Sequence, residues 1–188
     1  MGTETIKPIL ENLYYLTGSL LFVVAIYQIR LLIRENKYKL AYSALDLDKH
    51  FKKEVLKLYN DFWGLFSANG LGDNIYELEE CKSLDKRIIE KYEALLNENF
   101  DDIINYLDLL ESYAFKVHCR IVNEKLLFKC NAKQYFDCVK QISIIVYILR
   151  TKENQQAYSQ IFSLYNKWKK IRDKQYIIHK ILSMVWKK

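Results

Sequence analysis

Hydrophobic positions along this chain follow two patterns. From Leu13 to Ile33 they run almost without interruption, LYYLTGSLLFVVAIYQIRLLI; from Asn36 onward they recur every three to four residues. The uninterrupted stretch holds 21 residues, about 31 Å of helix, enough to cross a hydrocarbon core of roughly 30 Å. Its first 17 residues, Leu13 to Ile29, carry no charge. A cleaved signal peptide would show a basic start and a small-residue cleavage pattern. Here Lys7 is offset by Glu4 and Glu11, and the run ends in Tyr27-Gln28-Ile29-Arg30. A buried core helix is the other competitor, since Thr17, Ser19 and Gln28 dilute the segment. Tyr14, Tyr15 and Tyr27 near its ends suit the interfacial aromatic belts of a membrane span.

The periodic part predicts helices throughout. Leu40, Ala44, Leu47, Phe51, Val55, Leu58 and Phe62 define one from Asn36 to Phe66, and Asn69-Gly70 with Gly72-Asp73 predicts a break. Further helices are expected over Leu84–Leu96 and from Asp101 to about Cys119. A short helix over Glu124–Cys130 is expected behind an Asn123 cap, then one over Gln134–Arg150. The last of these is apolar on most sides and belongs in the centre of a bundle. After a turn at Thr151–Asn154, a final helix runs from Gln156 to Trp186, with Trp168, Ile171, Gln175, Ile178, Leu182 and Val185 on one face. No segment sustains strand alternation. The fold class is all-α: a short external N-terminus (1–12), one transmembrane helix (13–33) and a cytosolic helical bundle (34–188). One Pro and five Gly leave the helices free to run long, and no polar linker divides the bundle.

Charge changes the picture in one respect. The net +6 is uneven: −1 over residues 1–29, +3 over 30–39, −3 over 40–164 and +7 over 165–188. Lys and Arg stay on the cytoplasmic side of a span. Arg30, Arg34, Lys37 and Lys39 therefore put the N-terminus outside and the bundle in the cytosol. Basic residues beside the span and at the C-terminus suit an anionic lipid surface better than a nucleic-acid groove. Arg30, Arg34, Lys37, Lys39, Lys167, Lys169 and Lys170 are the candidate membrane-surface bases. In a reducing compartment Cys81, Cys119, Cys130 and Cys138 are expected to be free thiols, and their spacing shows no zinc pattern.

The order of features resembles the bacterial domain of unknown function 4760. The matching pieces are Ile26-Tyr27-Gln28-Ile29-Arg30, then NYLDLLESYAFKVHCRIVN from Asn105 to Asn123, with its paired acids, turn and acidic helix start. The last is YILRTKENQQAYSQIFSLYNKW from Tyr147 to Trp168. The family pattern has a Gly in the turn where Arg120 to Asn123 stand here. The resemblance implies an N-terminal span and a helical domain at the bacterial inner membrane. Through the mobile and defence-associated genes its members accompany, it also implies a role in phage defence or stress response. It carries over no catalytic residue.

Chemistry is thin. There is no phosphate-binding glycine loop, no zinc-protease motif and no nucleophile elbow. Asp101, Asp102, Asp108 and Glu111 line one helix, and His118, two turns beyond Glu111, falls on roughly the same side. Glu111, His118 and Arg120 form the candidate polar cluster; His50 and His179 read as boundary residues. Tyr59, Phe62, Trp63 and Phe66 form an aromatic stripe, read as core. The expected function is a membrane-anchored, non-enzymatic interaction or sensor module with no cofactor or metal. Its partners are the lipid bilayer and a protein partner or second copy; nucleic acid is disfavoured. The alternative is a tethered ligand-binding or enzymatic domain using Glu111, His118 and Arg120.

Overall fold

The computed structural model describes residues 6–72, 75–152 and 156–185, with side chains described from Tyr14 onward except at 181, 184 and 185. Parts of four expectations lie outside the described residues: residues 1–5 of the external N-terminus, Asp73 in the first break, residues 153 and 154 of the Thr151–Asn154 turn, and Trp186. The regular elements among the described residues are all helical, with no strand. The elements are α1 (Ile6–His50), a π turn (Phe51–Val55), α2 (Leu56–Ala68), a 3₁₀ turn (Glu80–Ser83), α3 (Lys86–Glu98), α4 (Phe100–His118), α5 (Glu124–Lys152) and α6 (Ser159–Val185).

The chain divides into two compact units, residues 1–41 and 42–188. In the first, α1 runs unbroken through the apolar stretch, and every described side chain from Tyr14 to Lys39 is exposed. The hydroxyls of Thr17 and Ser19 donate to the carbonyls of Tyr14 and Leu16, at 3.0 and 2.9 Å. The helix thus satisfies these two hydroxyls within its own backbone.

The second unit is a bundle with α5 at its centre. Fourteen α5 residues are buried, among them Ile142, Ile144, Ile145, Val146 and Ile148. This helix packs against α2, α3 and α6, while α4 packs on α6. The two helices expected at Glu124–Cys130 and Gln134–Arg150 are one. Asn131 continues the helix because its buried amide donates to the Tyr113 hydroxyl at 3.2 Å, a tertiary partner that outweighs local preference. The helix expected over Asn36–Phe66 is instead α1, the π turn and α2. The π turn inserts a residue and points both Phe51 and Val55 into the core.

Local signals set the helix ends. Asp85 caps α3 by accepting from the Arg87 amide at 2.9 Å, and Asn123 caps α5 through the Leu126 amide at 3.1 Å. At the end of α2, Gly70 takes φ +69°, the Leu71 amide bonds the Phe66 carbonyl and the Gly70 amide that of Ser67. Leu71 and Phe66 are both buried, completing a Schellman stop.

Aromatic rings fill the middle of the bundle. Trp168 is fully buried and meets Tyr113, Phe128 and Tyr135 edge-on. Phe51 packs 4.7 Å from Tyr113, and Phe62 stacks on Tyr106 at 5.5 Å. Of the α2 stripe, Phe62 and Phe66 are core while Tyr59 and Trp63 are half-buried. Buried polar groups are spent on cross-links: Tyr106 donates to Gln141, Gln141 to the Tyr59 carbonyl, and Tyr135 to the Ile161 carbonyl.

Candidate functional site

The polar cluster expected from the sequence begins at Glu111, midway along α4. Its carboxylate accepts from the amides of Gln160 and Ile161, at 3.2 and 3.0 Å. These belong to the first turn of α6, whose amides have no partner within the helix. A carboxylate there also meets the positive end of the helix dipole. Glu111 is therefore the cap of α6, supplied from another helix.

Arg150 secures the same junction from α5. Its Nε donates to the Ala157 carbonyl at 2.8 Å, and its guanidinium lies 5.0 Å from the centre of the Phe162 ring. Burial lowers its pKa, opposed by the charge of Glu111. At the far side of α6, Glu124 accepts from the Trp168 indole at 3.1 Å and from Lys167 at 2.6 Å.

His118 and Arg120 do not join Glu111. His118, two turns along α4, lies about 10 Å further down the axis, half-buried, with its Nε2 buried and unbonded. Arg120 is exposed at φ +56°, in the turn after α4, where its amide bonds the Val117 carbonyl. The structure thus separates the three residues into a cap, an unpaired imidazole edge and a turn residue. Among the described residues no three His, Cys, Asp or Glu side chains gather as a metal set. The four cysteines are free; burial pushes the thiols of Cys81 and Cys138 up to about 11 and about 12. An open groove of about 710 Å³ runs along Leu78, Lys82, Tyr147, Arg150 and Thr151, where the Arg150 Nε is already committed to the Ala157 carbonyl.

The candidate surface bases fall into two groups. Arg30, Arg34, Lys37 and Lys39 are exposed on α1. Lys39 pairs with Glu35 at 2.7 Å, and Arg34 lies near the Tyr38 hydroxyl at 3.3 Å. On α6, Lys167 is held by Glu124 and Lys169 by Glu77, both at 2.6 Å. Glu77 also accepts from the Tyr165 hydroxyl, and Lys169 holds its carboxyl below the usual range. Lys170 is exposed. Two of the three α6 bases named from the sequence therefore serve the bundle. Sequence reasoning missed Arg150 and Glu124 as linking residues, although the Arg150 to Trp168 pattern contained the signal.

The family model for the domain of unknown function 4760 matches residues 16–168. The chain belongs to that family. No curated protein and no solved structure matches it. Two of the segments that carry the family pattern meet in space, Glu111 of the one bonding the start of α6 in the other, and Arg150 folds the second back on its own Ala157 and Phe162.

Proposed function

We propose that this chain is a membrane-anchored, non-enzymatic interaction module of the bacterial inner membrane. Residues 13–33 would cross the bilayer, with the N-terminus outside and the bundle in the cytosol. The observation that carries this reading is the described part of the stretch, Tyr14 to Ile33: helical, largely apolar and exposed on every side, with the Thr17 and Ser19 hydroxyls bonded to its own backbone. Apolar surface of that extent calls for lipid or protein cover, and a self-satisfied helix is what lipid admits. The +3 charge at residues 30–39 against −1 before it supports the orientation. The non-enzymatic part rests on the use of polar side chains. Glu111, Arg150 and Glu124 tie α6 to the other helices and Lys169 ties it to the segment before the 3₁₀ turn, so the domain offers surfaces rather than a reactive pocket. A role in phage defence or stress response is the process the family resemblance favours.

Fractionation tests the anchor. Full-length protein should stay in the membrane pellet through alkaline carbonate extraction, and deletion of residues 1–35 should release it. For orientation, a Thr3→Cys label should form from outside the cell and a Lys188→Cys label should not. Full-length protein in the soluble fraction without detergent refutes the reading.

A further inference from the structure

Along α6 the core positions step by three and four residues: Ile161, Leu164, Trp168, Ile171. The first three are buried and Ile171 is half-buried. The same step continues to Gln175, Ile178 and Leu182, but there the bundle stops. Ile178 is 55% and Leu182 51% exposed, and Ile177 beside them is 56% exposed. From Arg172 to Lys180 every side chain is exposed. The bundle therefore leaves about two turns of an apolar stripe uncovered.

The charges around this stripe indicate its cover. At 100° per residue, Lys170 and Lys174 border Ile178 and Leu182 on one side, with Ile177 beyond them, and His179 and Arg172 border the other. Residues 170–180 hold Lys170, Arg172, Lys174 and Lys180 against Asp173 alone. Arg172 is drawn toward Asp173 and the Phe136 ring, whereas Lys170, Lys174 and Lys180 make no ion pair among the described residues. A second copy docked on this stripe would set these bases against their own equivalents, which the flanking positions of paired helices avoid. The apolar arc is also broader than a two-helix seam, reaching Ile177 across the lysines. A broad apolar arc crossed by lysines whose stems can reach outward is the design of a helix lying in a lipid interface.

We infer that residues 170–183 lie on an anionic cytoplasmic leaflet, with Ile178 and Leu182 entering the interface and Lys170 and Lys174 meeting lipid phosphates. The inference rests on the anchor reading above, which keeps the bundle beside that leaflet. It moves the basic contact away from Lys167 and Lys169, which the bundle uses, to the far half of α6.

The full chain can be reconstituted into bilayers of phosphatidylcholine alone or mixed with phosphatidylglycerol and followed by hydrogen exchange. Amides of residues 172–183 should exchange on the order of tenfold more slowly in the anionic bilayer at low salt, with α4 and α5 unchanged. High salt should remove the difference, as should Lys170→Glu with Lys174→Glu. Ile178→Asp should remove it without altering exchange in α5. Equal exchange in the two bilayers, with the protein still resistant to carbonate, overturns the inference and leaves the anchor standing. Protection that depends on protein concentration and not on lipid charge assigns the stripe to a second copy and also overturns it. Release by carbonate from both bilayers is instead the failure of the anchor reading, and this inference falls with it.

Discussion

The carboxylate of Glu111 reaches the amide of Ile161 at 3.0 Å, fifty residues away in sequence. With the Gln160 amide bound as well, α4 supplies a carboxylate to the first turn of α6. The bond fixes where α6 starts, and with it the depth at which Ile161, Leu164 and Trp168 enter the core. What looked in the sequence like a carboxylate waiting for a catalytic partner is a carboxylate already occupied by two amides.

Replacing Glu111 should therefore be costly to stability. Glu111→Ala removes acceptors for two amides of the first turn and should destabilise the bundle by about 1–2 kcal/mol. Glu111→Gln keeps one acceptor oxygen without the charge and should cost less. Thermal unfolding of the full-length protein in detergent, followed by circular dichroism, reads the difference. An unchanged melting temperature in Glu111→Ala would reopen the case for Glu111 as a site residue.

Arg120 stands at φ +56°, a conformation that costs most L-residues roughly 1–2 kcal/mol and glycine little. This is the turn in which the family pattern carries a Gly. Arg120→Gly should leave the melting temperature unchanged or raise it, since relief of strain competes with a more flexible unfolded chain. Arg120→Val, β-branched, should lower stability by about 1–2 kcal/mol. A glycine variant that melts well below the parent would mean that the arginine head group holds the turn in place.

Much of the bundle was legible because its signals are local. Asn123 announced the start of α5, Asn69-Gly70 the end of α2, and apolar periodicity found the central helix. The union of two short helices into α5 was not legible, because what carries the helix through Asn131 is Tyr113, on α4. The π turn left only a faint trace, successive steps of four from Leu47 to Phe51 to Val55. At the candidate site, heptad spacing put Glu111 and His118 on one side of α4 but said nothing of the amides opposite. Nor did sequence separate the bases of α6. Lys167 and Lys169 are bound by Glu124 and Glu77, forty-three and ninety-two residues away.

The Glu77–Lys169 pair makes stability depend on acidity. Lys169 holds the Glu77 carboxyl below its ordinary value, with the Tyr165 hydroxyl assisting. The folded state thus binds this proton less readily than the unfolded one. Its stabilisation is complete above the unfolded carboxyl value, about 4.3, and is lost as pH falls through the lower folded value. Both side chains are about one-third exposed, so screening limits the gain to at most about 1 kcal/mol. Glu77→Gln should melt lower than the parent at pH 7, and the gap should close toward pH 3. A gap that is constant with pH would trace the loss to packing rather than charge.

The last expectation concerns the buried pair Tyr113 and Asn131. The Asn131 amide donates to the Tyr113 hydroxyl at 3.2 Å, while its Oδ1 is buried without a hydrogen-bond partner. Tyr113→Phe takes away the acceptor and leaves the whole amide unsatisfied, which should cost about 1–3 kcal/mol, the desolvation penalty of a buried polar group. Asn131→Leu removes the amide but leaves the tyrosine hydroxyl without its donor, and should cost something of the same order. The double variant removes both polar groups from a site ringed by Phe51, Tyr135 and Trp168. It should be more stable than Tyr113→Phe, because apolar groups of similar shape carry no unmet bond. A thermodynamic cycle over the four proteins measures the coupling. Strictly additive losses would show that the two side chains contribute by packing alone, and that some contact other than Tyr113 carries the helix through Asn131.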